Sequence, residues 1–150
     1  MGELGQSVKK AAAKEATGAR SLSAYVWGFD AKVSGPDLVH HNVFFSDEPN
    51  SEFNDIKKGR MPIDPSIYIC AQDRGKNAPY PKTERFEIIL NAPPVSKRKD
   101  TPEDYEKCKE LTFKRLEMFG LNFQSKLKRA NLSTPHDFEE LFPASDGSLY

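Results

Sequence analysis

Two adjacent histidines, His40 and His41, lie in the apolar run "VHHNVFFS" over residues 39–46 and are the first candidates for chemistry. Imidazole can bind a metal ion or transfer a proton near neutral pH. Residues 38–46 are typical of a strand, and successive strand residues point to opposite faces of a sheet. We therefore predict that the two imidazoles do not converge and that the chain has no metal site. Packing within the strand is the favoured interpretation, with catalysis as the alternative.

Few other residues are placed for chemistry. Asp73 and Arg74 follow a predicted strand and are interpreted as a surface ion pair, with a polar clamp at the strand end as the alternative. Cys70 and Cys108 match no metal-ligand spacing and are predicted to be reduced and buried. His136 is isolated at the start of a predicted helix, which indicates a surface residue.

Composition and motifs exclude several classes of protein. The 22 basic and 22 acidic residues balance, so the strongly basic surface of a nucleic-acid-binding protein is not expected. The sequence contains no G-x-G-x-x-G, G-x-x-x-x-G-K or G-x-S-x-G motif. No catalytic or cofactor-binding residue can therefore be named from motifs. Residues 1–20 form a basic lead-in, interpreted as a connector, with contact to a membrane surface as the alternative.

A series of strands and helices must position these residues. Hydrophobic periodicity predicts strands over 21–29, 38–46, 66–72 and 85–91, and helices over 49–58, 102–119 and 135–142. Residues 3–17, rich in Ala and Lys, are interpreted as a short helix or a flexible lead-in. The first strand is apolar on both faces, and turn residues after it predict a hairpin with the second. The order predicts an α+β fold, with a mostly antiparallel sheet and helices on one side, formed by residues 21–150.

Aromatic residues are concentrated on the first two predicted strands. These residues are Tyr25, Trp27, Phe29, Phe44 and Phe45. One interpretation places them in the core, and the other makes them a wall of a long apolar cavity. Periodicity alone leaves both interpretations open.

Five strings, taken in order, resemble one enzyme family. They are "RSLSAYVWGF", "LVHHNVFFSDEPNSEFNDIKKGRMPIDPSIYICAQDRG", "ERFEIILNAPP", "TPEDYEKCKELTFKRLEMFGL" and "TPHDFEELFPASDGSLY". Together they resemble the carotenoid desaturases of the phytoene dehydrogenase family, in particular the 1-hydroxycarotenoid 3,4-desaturase (methoxyneurosporene dehydrogenase) branch. The resemblance extends from Arg20 to Tyr150.

The resemblance implies an FAD-dependent oxidoreductase that desaturates a carotenoid polyene. It also implies the fold of the substrate domain of flavin amine-oxidase-like enzymes. The glycines of the family's Rossmann unit are absent from this sequence, so we expect a fragment, a split-gene product or a truncated gene model, with the Rossmann portion as its partner. The implied location is the cytoplasm, with peripheral contact at the inner face of the membrane.

The resemblance also gives candidate substrate-binding residues. Apolar walls are expected from Tyr25, Trp27, Phe44 and Phe45. A hydroxylated or methoxylated end of the polyene is expected near His40, His41 and Asn42. Two alternatives remain: a non-catalytic orphan domain that binds an apolar ligand, and an inactive gene fragment.

Overall fold

A computed structural model describes residues 20–75, 79–99 and 101–149. The short helix or flexible lead-in expected over residues 3–17 lies outside these ranges. Six strands, three α-helices and one short 3-10 helix are present among the described residues. In chain order they are β1 (Ser23–Ser34), β2 (His41–Phe44), α1 (Pro49–Lys57), β3 (Ile67–Ala71), β4 (Glu84–Ala92), α2 (Pro102–Met118), β5 (Asn122–Gln124), the 3-10 helix (Arg129–Asn131), β6 (Leu132–Ser133) and α3 (Pro135–Leu141).

The strands form one antiparallel sheet in the order β2-β3-β4-β1-β5, and β6 also pairs with β1. This arrangement confirms the predicted α+β class. The predicted hairpin of the first two strands is wrong, because β1 pairs with β4 and β2 pairs with β3. Nine consecutive residue pairs join β1 to β4, from Ser23 opposite Ala92 to Ala31 opposite Glu84. The nine pairs of β1 with β4 bury more apolar side chains than a hairpin with the short strand β2 could, although β2 is nearer along the chain.

One face of the sheet is covered by α2 and forms the core. The Trp27 ring lies 5.5 Å from that of Tyr105 and 5.7 Å from that of Phe113, measured between ring centroids. Phe29 continues this cluster, with its centroid 5.7 Å from that of Phe123 on β5. Tilted and edge-on aromatic pairs of this kind add to the stabilisation that comes from burial alone. We call this side of the sheet the covered face.

The helix α2 begins and ends close to the predicted positions. Thr101 precedes it, and the Asp104 carboxylate accepts a hydrogen bond of 2.8 Å from the Thr101 N–H. Gly120 follows the helix with φ of 78°, a left-handed conformation that glycine adopts without steric cost. Capping and the 3.6-residue period therefore predicted this element correctly.

The opposite face of the sheet, which we call the open face, is covered only in part. Glu52 of α1 is buried against it, and its carboxylate accepts hydrogen bonds from Ser66 Oγ at 2.7 Å and Asn91 Nδ2 at 3.3 Å. The prediction that the strand over 21–29 is covered on both sides holds for the first residues of β1 only, since Gly28 is exposed, and so are Asp30 and Lys32 beyond the predicted range. Beyond the area that α1 covers, the open face meets solvent.

Candidate functional site

An apolar groove of about 520 Å³ lies on the open face beside α1. Its lining residues are Val43, Phe45, Pro49, Phe53, Ser66, Tyr68, Ile89 and Asn91. The register explains its floor, because Val43 lies opposite Tyr68 and Tyr68 lies opposite Ile89 on adjacent strands. Directly opposite residues of antiparallel strands share one face, so these side chains form a row across the sheet.

Large apolar side chains are left in contact with solvent along this groove. Phe45 is 70% exposed and Val43 is 50% exposed. Phe53, on α1, contributes a third exposed apolar side chain to the opposite wall. Because these exposed apolar side chains line one groove, the groove is a candidate binding site.

A polar cluster lies at the edge of the groove. The Tyr68 hydroxyl, which belongs to the groove wall, lies 2.6 Å from Nδ1 of His41. The pKa of Tyr68 is raised above its ordinary value. Burial is the largest cause, and a hydrogen bond with the Cys70 side chain is the second. The phenol is therefore protonated at neutral pH and can donate a hydrogen bond.

The two histidines converge, and the prediction that strand alternation separates them is wrong. Their ring centroids lie 4.3 Å apart. The reason is that β2 begins only at His41, while His40 lies in a bend whose backbone does not follow strand alternation. The predicted state of the cysteines is confirmed, since Cys70 and Cys108 are both buried and neither forms a disulfide.

The other predicted substrate-binding residues occupy different positions. Tyr25 and Trp27 lie on the covered face within the core, and Tyr25 also borders a second cavity of about 420 Å³ next to α2. Phe44 packs against the core and lies 5.0 Å from the Phe119 ring, so of the four predicted wall residues Phe45 lines the groove. The Asn42 amide donates to the Val39 carbonyl at 2.8 Å. Their role in binding substrate stays a prediction.

The sequence interpretation missed most of the groove. Val43, Tyr68 and Ile89 each lie on a different strand, and all three side chains are on the open face. The available signal was the alternation of side chains along each strand. It could not show which face a helix would cover, because the covering helix lies far away along the chain.

Asp73 and Arg74 do not form a surface ion pair with each other, so that interpretation is wrong. Arg74 is 8% exposed, and its guanidinium donates two hydrogen bonds to Glu84, at 2.6 and 3.0 Å. The hydrogen bond with Glu84 raises the pKa of Arg74 further above its ordinary value. Asp73 instead accepts a hydrogen bond of 2.8 Å from the backbone N–H of Arg85. His136 is exposed, as predicted.

None of the helices described by the structure is long and apolar enough to cross a membrane. The described strand pairs are all antiparallel, so a phosphate cradle between parallel strands and a helix does not occur among them. The described residues therefore do not fit the dinucleotide part of FAD.

No protein-family model matches the chain. It is 48% identical over 149 residues to a hydroxyneurosporene desaturase of Cereibacter sphaeroides, and 43% identical over 149 residues to one of Rhodobacter capsulatus. It is also 32% identical over 119 residues to a 4,4'-diapolycopene oxygenase of Methylomonas sp. The first two alignments cover 99% of this chain, which spans about 30% of the length of either relative. At these identities over nearly the whole of its length, the chain belongs, as a segment, to the carotenoid desaturase family.

Proposed function

We propose that this chain supplies the substrate-binding region of an FAD-dependent carotenoid desaturase. The observation that carries the proposal is the exposed apolar groove, found in a segment that shares 48% identity with a hydroxyneurosporene desaturase. The reaction itself belongs to a longer protein, of which this chain corresponds to about 30%.

The chemistry of the groove suits a polyene. A carotenoid chain offers almost no hydrogen-bonding groups, so its affinity comes from apolar area removed from water, at about 25 cal/mol per Å². Val43, Phe45 and Ile89 line the open groove and supply such area. The groove therefore binds the middle of the polyene without needing polar recognition.

The polar edge of the groove suits an oxygenated chain end. The Tyr68 hydroxyl and the His41 ring can each donate to or accept from a hydroxyl group. Two relatives, at 48% and 43% identity, carry hydroxyneurosporene in their name. A hydroxyl group beside Tyr68 and His41 would fix the position of the polyene along the groove.

The occurrence of this segment in differently named enzymes favours a role in binding the polyene over a role in one particular reaction. The segment is shared by proteins named desaturase and by proteins named oxygenase, one of them at 32% identity over 77% of this chain. FAD would take the hydrogens of the substrate, and the protein's part is to hold the chain in line and exclude water. The flavin would be bound by residues outside this chain, in a Rossmann portion of the longer enzyme.

The proposal is tested by measuring the binding of hydroxyneurosporene in detergent micelles. The shift of the polyene absorption bands reports binding. Phe45→Ser should raise the dissociation constant about tenfold, because burying part of a Phe side chain contributes about 1.5 kcal/mol. Phe142→Ser is the matched control, since Phe142 is also exposed but lies at the end of α3 outside the groove. Equal loss of binding in both variants would contradict the groove as the site.

Desaturation requires the rest of the enzyme. Joined to a Rossmann portion of the family and loaded with FAD, the chain should convert hydroxyneurosporene, and Phe45→Ser should lower kcat/KM by the same factor as it lowers binding. A well-folded, flavin-loaded protein that binds polyene without converting it would instead favour a non-catalytic binding domain. Failure to fold or to bind would favour an inactive fragment.

A further inference from the structure

Three potential metal ligands converge at the edge of the sheet. Ligand atoms of His40, His41 and Cys70 all lie within 4.8 Å of one another. The register produces part of this cluster, because His41 lies directly opposite Cys70 on the neighbouring strand. Side chains of directly opposite residues share one face and stand about 4.5–5.5 Å apart at Cβ. The bend before β2 then brings the His40 ring edge-on to that of His41, at 76°.

Hydrogen bonds fix the tautomer of His40. Its Nδ1 lies 3.0 Å from the Ala71 carbonyl oxygen and 2.9 Å from the Arg74 carbonyl oxygen. Carbonyl oxygens only accept hydrogen bonds, so Nδ1 carries a proton, and in the neutral imidazole Nε2 then keeps its lone pair. An imidazole whose other nitrogen donates to a backbone carbonyl is the usual arrangement of a metal-binding histidine.

The spacing of the donors fits a tetrahedral ion. Nε2 of His40 lies 3.7 Å from Sγ of Cys70. In a tetrahedral zinc site, bonds of about 2.3 Å to sulfur and about 2.0–2.1 Å to nitrogen place the two donor atoms about 3.6 Å apart. His41 is exposed, which gives an ion access from solvent, and the Tyr68 hydroxyl holds its ring in place at 2.6 Å.

We propose that His40, His41 and Cys70 bind one divalent cation of the zinc class, with water at the fourth position. On binding, the Cys70 thiol releases its proton to solvent and a metal–sulfur bond forms. The two imidazole nitrogens replace water molecules on the ion, which pass into solvent. The ion would join the edge strand β2 to β3 beside the groove. This inference goes beyond the proposed function and does not depend on polyene binding.

Titration of the full 150-residue chain with Co²⁺ tests the site, because cobalt reports its ligands by absorption. We expect one ion per chain, a sulfur-to-metal charge-transfer band in the near ultraviolet and reversal by a chelator. Cys70→Ser should abolish the band. Cys108→Ser should leave it unchanged, since Cys108 is buried against Thr112 of α2 and lies outside the cluster.

His41→Ala should weaken Co²⁺ binding more than about 100-fold, since loss of even an outer partner costs about 10–100-fold. The matched control is His136→Ala, which removes an exposed histidine on α3 and should not change the affinity. Zn²⁺ should raise the melting temperature of the wild-type chain but not that of His41→Ala.

Two results would overturn the proposal: absence of the sulfur band in the folded wild-type chain, or unchanged affinity in His41→Ala. Because His41 is exposed, its variant should fold, and near-ultraviolet circular dichroism checks this. The measurements on the wild-type chain and on His41→Ala therefore test the metal site even if Cys70→Ser fails to fold. Either result would leave a hydrogen-bonded histidine–cysteine cluster that binds no metal.

Discussion

The covered and the open face of the sheet are built from the same strands but differ in what they contact. In β4, Phe86, Ile88 and Leu90 are buried beneath α2, while Ile89 between them lies in the floor of the groove. The covered face is closed by aromatic pairs and helix packing. The open face keeps apolar residues that no described helix covers.

The difference separates residues that stabilise the fold from residues that are free to bind a ligand. Apolar residues on the covered face are fully desolvated on folding, so their replacement should be costly. Those on the open face keep much of their contact with water, so folding alone does not account for their apolar character. Stability and ligand binding should therefore respond to different substitutions.

The largest effect is expected from Trp27→Ala, which should lower the free energy of unfolding by about 3–5 kcal/mol because it leaves a cavity in the core. Trp27 is 0% exposed and packs against Tyr105 and Phe113. Urea unfolding measures the change.

Trp27→Phe is the control for Trp27→Ala, and it should cost much less. It keeps an aromatic ring in place and removes an indole N–H that has no hydrogen-bond partner among the described residues. A similar loss in both variants would contradict the cavity explanation.

Two ion pairs at the start of β4 should differ several-fold in what they contribute to the free energy of unfolding. Arg74→Ala leaves the Glu84 carboxylate buried without its partner on the covered side, and should cost about 3–5 kcal/mol. Arg85→Ala breaks a pair with Asp73 that involves an exposed arginine, and should cost much less because solvent screens the pair. Chemical denaturation of the two variants side by side measures the difference. Equal losses would show that burial does not distinguish these pairs.

The cap of α3 should give an intermediate effect. Thr134→Ala removes the hydroxyl that accepts from the Asp137 N–H at 3.3 Å, and should cost about 1 kcal/mol. Burial alone would raise the pKa of Asp137, but hydrogen bonds from Thr134 and Arg129 lower it below its ordinary value.

The same cap predicts a pH dependence. A folded-state pKa below the unfolded value means that the Asp137 carboxylate stabilises the fold fully above the unfolded value of about 3.9. This contribution should be lost as the pH falls through the lower folded-state pKa, and solvent screening keeps it small. Unfolding of wild type and Asp137→Asn between about pH 7 and about pH 3 measures it, and their difference in stability should shrink toward acid. A constant difference would exclude the carboxylate as its source.

The smallest effect on stability is expected from Phe45→Ala on the open face. Phe45 is largely exposed, so the free energy of unfolding should change by no more than about 0.5 kcal/mol. The thermal unfolding midpoint should stay at the wild-type value. A loss approaching that of Trp27→Ala would show that Phe45 is part of the folding core and would remove the contrast between the two faces.

Local signals predicted the three α-helices that the structure describes, and the strand β4, well. The helix predicted over 102–119 is observed as Pro102–Met118, because capping and periodicity act within a few residues. The strand predicted over 85–91 is observed as Glu84–Ala92. Strand pairing was predicted less well, since β1 pairs with a strand that lies about 60 residues away rather than with its neighbour along the chain.

The candidate site was predicted only in part, for the same reason. The sequence singled out His40, His41 and Phe45, and the family resemblance assigned them to substrate binding. Their convergence with Tyr68 and Cys70 depends on the register of β2 against β3, which the residues of β2 alone do not encode.

The sequence by itself determined the α+β class, the helix ends and the family, because periodicity, capping and ordered strings are local properties of the chain. The tertiary structure alone decided which face of the sheet is covered, that Arg74 is buried against Glu84, and that two histidines meet a cysteine. Each of these depends on contacts between residues far apart in sequence, which form only when the strands pair and α2 packs against the sheet.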